Sequence, residues 1–237
     1  MDIYQRKARV YPAILAMFLP SLALTSLCSE LGFSVLVYEH WENFETIINL
    51  VSGSIVGSAI GYFFSESIST FSKWLFQFRL FKEDETKMPT TDLLMYKSTS
   101  FSADYIEKIK VRVLKDFGIS LPDRNQQACM EWESRKVIAN AVQLIRNVTR
   151  KDPILLDFNI KYGFFRNLLG GLLISELLLL IIMLTSICFG FDEIIYFVLI
   201  LIVLILFIGA FIGMKINSKE YAKQLFSSYI ANGSPSH

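Results

Sequence analysis

Lysine and arginine are missing from two long stretches of this 237-residue chain, residues 10–72 and 168–214. All 23 of these side chains lie instead within residues 1–9, 73–167 and 215–223. A helix needs about 20 apolar residues to cross a bilayer, so each base-free stretch has room for two crossings. Basic residues gather on the cytoplasmic side of short loops. The N-terminus, the middle region and the C-terminus are therefore all expected on the cytoplasmic face. The expected fold is an all-α integral membrane protein: four transmembrane helices arranged as two hairpins, with a helical cytoplasmic domain between them.

The boundaries follow from the hydropathy pattern. Residues 1–81 hold an N-terminal hairpin, with crossings near 11–28 and 46–64 and an inner interfacial segment after them. Residues 82–166 form the cytoplasmic domain, 167–214 a second hairpin, and 215–237 a cytoplasmic tail. The chain is 53% hydrophobic, where a soluble domain is nearer about 45–50%. The excess sits in the two base-free stretches and reflects lipid as solvent. Glu30, Glu39, Glu42, Asp192 and Glu193 fall on the expected outer loops, unopposed by any base. Cys28, Cys129 and Cys188 have no metal-ligand or disulfide spacing. No cleavable signal pattern is present, and the first helix is expected to serve as its own insertion signal.

The crossings differ in character. Pro12 suits the first turn of a helix. Pro20 falls in mid-span and should kink it unless a neighbour satisfies the carbonyl it frees. In the second crossing, Gly53, Ser54, Gly57, Ser58, Gly61 and Ser65 fall on one stripe at about 100° per residue, with Asn49 nearby. Such spacing either lets helix backbones approach closely or leaves room for a wet lumen between subunits of a homo-oligomer. The third crossing is rich in leucine and carries Glu176, whose charge has no basic partner in any crossing. The fourth is almost purely apolar and suited to lipid exposure.

Within the cytoplasmic region, a helix is expected over 103–117, with Ser102 as N-cap and Gly118 past its end. A longer helix is expected over 125–149, and Lys151-Asp152-Pro153 should end it. Basic side chains supply most sequence-independent affinity for phosphates. Lys108, Lys110, Arg112, Lys115, Arg135, Lys136, Arg146 and Arg150 are the candidates, although interleaved acids also fit an ordinary solvated face and nearby anionic lipid is another partner for such bases. Tyr162, Gly163 and Arg166 stand where the domain joins the third crossing. They fit either a coupling element or an interfacial anchor. No GxSxG, P-loop, GxGxxG or HExxH motif occurs. No enzyme, metal site or cofactor is expected.

Two stretches carry a resemblance: RKARVYPAILAMFLP at 6–20 and NIKYGFFRNLLG at 159–170. With the hairpin, domain, hairpin layout, they resemble small bacterial membrane effectors of anti-phage defence, of the Hailong type. That resemblance implies a homotetrameric ion channel in the bacterial inner membrane. It also implies a partner nucleotidyltransferase whose oligodeoxyadenylate product binds the cytoplasmic domain and holds the channel closed. A non-conducting membrane scaffold that recruits a soluble partner is the other expectation.

Overall fold

The structure, a computed structural model, describes residues 2–32, 61–78 and 85–231. All regular structure among them is helical. Helix α1 runs over Ile3–Glu30 and includes a π-helical stretch at Arg6–Val10. Helix α2 is seen over 61–72 and continues as a π-helical stretch at Lys73–Phe78. Then come α3 (Pro89–Leu93), α4 (Ala103–Phe117), α5 (Arg124–Cys129), α6 (Glu131–Thr149), α7 (Pro153–Phe189) and α8 (Ile194–Ala231). Helices α1, α7 and α8 are each long and apolar enough to cross a membrane. The crossing expected at 46–64 lies mostly outside the described residues, as do Asn49, Gly53, Ser54, Gly57 and Ser58.

The chain divides into two compact units. The first comprises Met1–Ser72 and Phe164–Ile212. Within it, α1 buries a seam of small residues, Ala8, Ala13, Ala16 and Ala23, and leaves Ile14, Leu15, Phe18 and Leu22 exposed. That pattern suits a helix whose outer face meets lipid and whose inner face meets another backbone. Helix α8 is buried only at Tyr196, Val203 and Ala210 in this unit, while most of its Ile, Leu and Val side chains are exposed. Between α7 and α8 the backbone makes a Schellman turn: Gly190 takes φ 75°, Phe191 N–H donates to Ser186 O and Gly190 N–H to Ile187 O, both at 3.0 Å. Glycine adopts this left-handed conformation without a Cβ penalty. Asp192 Oδ1 then accepts from Ile194 N–H at 3.0 Å and starts α8.

The second unit comprises Lys73–Gly163 and Gly213–His237. Helix α4 begins and ends where its sequence dictates. Ser102 accepts from Tyr105 N–H at its start, and Gly118 closes it at φ 67°. Asp123 and Gln126 form a reciprocal capping box on α5. The helix expected over 125–149 is broken at Met130, whose φ of −132° and ψ of 64° separate α5 from α6. Residues 154–165 are the opening turns of α7. Pro153 sits at its start, and Asp152 Oδ1 accepts from the N–H groups of Ile154 and Leu155.

The segment after Lys215, set apart in sequence as a tail, is helical as far as Ala231. It continues α8, and Ala222, Leu225, Phe226 and Tyr229 join Ile109, Val113, Ile138, Val142 and Ile145 in the core of the second unit. Their i, i+3, i+4, i+7 spacing makes one apolar stripe, which has to be covered in water.

Two adjacent glycines decide how closely the first unit packs. A Cβ at Gly170 would stand 1.9 Å from Ser72 Oγ and 3.1 Å from its Cα. A Cβ at Gly171 would stand 2.6 Å from that of Ala16. Gly170 therefore faces α2 and Gly171 faces α1; Ser72 Oγ can rotate aside, but Ser72 Cβ at 2.9 Å, Ser72 Cα and the Ala16 Cβ cannot. Gly170→Ala should destabilise the protein by about 1–3 kcal/mol through overpacking. Gly209→Ala should leave it unchanged or slightly more stable, since nothing lies within 4 Å of the added methyl. Melting temperatures of the two detergent-solubilised variants check this. Equal values would contradict the close approach.

Candidate functional site

The first unit is laced by polar groups whose placement follows from two prolines. Proline has no N–H to give to the carbonyl four residues back. For Pro12 that carbonyl belongs to Ala8, and for Pro20 to Ala16. In hydrocarbon each unsatisfied carbonyl is costly. Asn167 Nδ2 donates to Ala8 O, and Ser175 Oγ donates to Ala16 O. Each bond joins residues separated by 159 positions, so α1 and α7 run parallel in one register. Ser175 Oγ also lies 3.0 Å from Gly171 O. Asn167 is fully buried, and its Oδ1 accepts from the Arg166 guanidinium at 3.4 Å.

Nearby, Arg9 Nη1 contacts both carboxylate oxygens of Glu66 at 2.8 and 2.7 Å, tying α1 to α2. At the other end of the unit, Tyr196 OH donates to Glu30 Oε2 at 3.3 Å. Beside this lacing, Glu176 Oε2, Ser65 Oγ, Ser186 Oγ and Arg9 Nε are buried with no hydrogen-bond partner among the described residues. Gly61, in contrast, is exposed, and an added Cβ there would meet nothing within 4 Å. The described end of the small-residue stripe thus places Ser65 inside the unit and Gly61 outside it.

The candidate phosphate-binding bases separate into engaged and solvent-facing groups. Arg112 lies 4.5 Å from the centre of the Tyr229 ring, 3.2 Å from Asp116 Oδ2 and 2.9 Å from Ile230 O. Tyr229 OH donates to the same carboxylate at 3.0 Å, so this cluster anchors the end of α8 to α4. Arg135 contacts Glu131, Asp92 and the Thr86 carbonyl. Arg146 is paired with Glu85 and donates to Thr90 Oγ1 at 3.2 Å. Lys110 Nζ donates to Tyr96 OH at 2.9 Å and sits over that ring. Lys136 lies near Glu133 and over Trp132. Lys108, Lys115 and Arg150 are exposed, with no ion pair among the described residues. Tyr162 stacks on Tyr221 inside the second unit, and Gly163 is buried there, whereas Arg166 belongs to the first unit.

Sequence reasoning singles out Pro20 but misses Ser175. The signal is present in the spacing: Pro12 and Pro20 stand eight residues apart, and so do Asn167 and Ser175. Only packing shows which donors meet which carbonyls.

Asn167→Ala should cost about 0.5–2 kcal/mol, since it strands the Ala8 carbonyl. Pro12→Ala restores a local donor, so the double variant should lose less than the sum of the singles. Strict additivity in a thermal double-mutant cycle would refute the account. A second expectation concerns acid. Hydrogen bonds from Lys97 and then Arg135 hold the Glu131 carboxyl below the usual carboxylate range. A depressed folded-state value stabilises the domain above that range, and the stabilisation is lost as pH falls through the depressed value. Lys97→Met should therefore shift acid unfolding, followed by circular dichroism, to higher pH.

Compared with family models, with curated proteins and with solved structures, the chain matches none.

Proposed function

We propose that the chain is an oligomeric membrane channel effector, gated by an anionic nucleotide or oligonucleotide bound to its extramembrane domain. The observation that carries this reading is Glu176, an acid about one third of the way into the expected third crossing, whose Oε2 is buried with no hydrogen-bond partner among the described residues. Intramembrane acids face bundle interiors or water-filled cavities, and a lumen shared between subunits would supply that water. The unpartnered Ser65 Oγ supports the same reading.

Four crossings are part of the proposal. Helices α1 and α7 are both of membrane length and run parallel. If both span, the chain between them must cross back an odd number of times, and the base-free stretch at 46–64 is where it does so. The distribution of Lys and Arg then puts both termini and the second unit in the cytoplasm, with the protein in a bacterial inner membrane. The Hailong-type resemblance adds a tetramer, a role in anti-phage defence and an oligodeoxyadenylate ligand. Binding gates the pore only if open and closed states differ in affinity for the ligand. The alternative of a non-conducting scaffold is favoured by one observation: Arg112, Arg135 and Arg146 already have partners within the domain.

Planar-bilayer recordings of the purified protein, with and without short adenine oligodeoxynucleotides on the domain side, test the reading. Currents that change with the oligonucleotide are expected, and Glu176→Gln should alter their conductance. Silence from folded, inserted protein would leave the scaffold.

A further inference from the structure

Arg135 and Arg146 stand eleven residues apart on α6. That is about three turns and about 16 Å along the axis, so both fall on one face. Each meets the strap formed by residues 85–98. Arg146 Nη1 pairs with Glu85 Oε2, and its Nη2 reaches Thr90 Oγ1 at 3.2 Å. Arg135 Nη1 donates to Asp92 Oδ1 at 2.6 Å and to Thr86 O at 2.9 Å. A guanidinium grips carboxylate and phosphate oxygens with the same planar fork of donors.

The strap that supplies these carboxylates is held under strain. Glu85 has φ 58°, and among the described residues no other non-glycine residue has a positive φ. Its side chain is held by Arg146, and its carbonyl accepts from Thr91 Oγ1 at 3.0 Å. Left-handed backbone is unfavourable for glutamate and persists only where its surroundings hold it. Arg146 Nε, a further donor of the fork, is buried with no hydrogen-bond partner among the described residues. Glu85 and Asp92 are not deeply enclosed: their side chains are 30% and 54% exposed, so a dissolved anion can reach both pairs.

We infer that α6 carries a polyanion site which the strap's own Glu85 and Asp92 occupy in this structure, and that a phosphate chain binds by displacing them. One phosphate is too small to bridge the two forks. The ligand class is therefore a linear polyanion whose phosphates extend over about 16 Å, such as a single-stranded oligonucleotide. Glu131 stays beside Arg135 through its one-turn pair, and its other carboxylate oxygen meets the strap's Lys97 at 3.0 Å. Release of Glu85 also relieves its backbone, which makes strap opening the conformational consequence of binding. This inference rests on the proposed oligonucleotide-gated reading and gives it a regulatory element.

Fluorescence anisotropy of a labelled single-stranded oligodeoxynucleotide against the full chain in nanodiscs tests the site, with hydrogen exchange across 85–98 as a second readout. The Glu85→Gln, Asp92→Asn double variant should bind about tenfold tighter, since the competing charges are gone. Glu85→Gly removes the carboxylate and the strain together and should behave alike. Arg146→Gln should weaken binding by a similar factor. Inorganic phosphate at matched ionic strength should not compete, whereas long-chain polyphosphate should. In the wild type, saturating oligonucleotide should speed exchange in the strap. Binding that is tight but equal in wild type and carboxylate variants, with strap exchange unchanged, would overturn the latch and leave the ligand reading intact. Absence of binding by the wild type and by the carboxylate variants would sink both.

Discussion

The membrane unit depends on two backbone carbonyls that prolines leave without donors. A bilayer offers no water to satisfy them, so the protein must supply hydrogen bonds from elsewhere. Asn167 and Ser175 do so for Ala8 and Ala16. Their side chains are short, and they reach only because the backbones of α1 and α7 lie close. That closeness is set by Gly171 against Ala16. Glycine spacing and polar donors are thus one device. Removing either the small residue or the donor undoes the other's purpose. A sliding of α7 by one turn would strand both carbonyls at once, so the pair has a single satisfied register.

Helix α2 joins this pair through different chemistry. Ser72 packs over Gly170, and Glu66 meets Arg9. One contact is steric and the other ionic, and neither involves a carbonyl left by proline. The π-helical stretches at Arg6–Val10 and Lys73–Phe78 lie beside these contacts in sequence. Such stretches occur often at functional positions, where the hydrogen-bond ladder is locally reset.

In the second unit, arginine is a tie between elements. Arg112 links α4 to the end of α8, while Arg135 and Arg146 link α6 to the strap before α4. Lys108, Lys115 and Arg150 are left in solvent, while Lys97 and Lys110 are held by Glu131 and Tyr96. Side-chain chemistry suits arginine to the ties with several acceptors. A planar fork with five donors satisfies carbonyl and carboxylate together, whereas an ammonium is strongly hydrated and is easily left in water. Charge in the sequence is the same for both, so composition does not separate structural bases from available ones.

What the sequence by itself determined is local or statistical. The apolar stretches mark α1, α7 and α8 as membrane-length helices, since hydropathy needs no knowledge of neighbours. Ser102 and Gly118 bound α4, because capping is settled within four residues. Tertiary structure decided the rest. The stripe at Ala222, Leu225, Phe226 and Tyr229 belongs to the core of the domain because that core leaves a face open to it, which periodicity after Lys215 does not specify. The break at Met130 parts a helix whose pattern reads as continuous. The partners of Pro12, Pro20, Arg112 and Arg146 lie dozens to more than a hundred positions away. Such pairings depend on which backbones can approach, and for α1 and α7 that approach is set by the Cβ-free contact of Gly171 with Ala16.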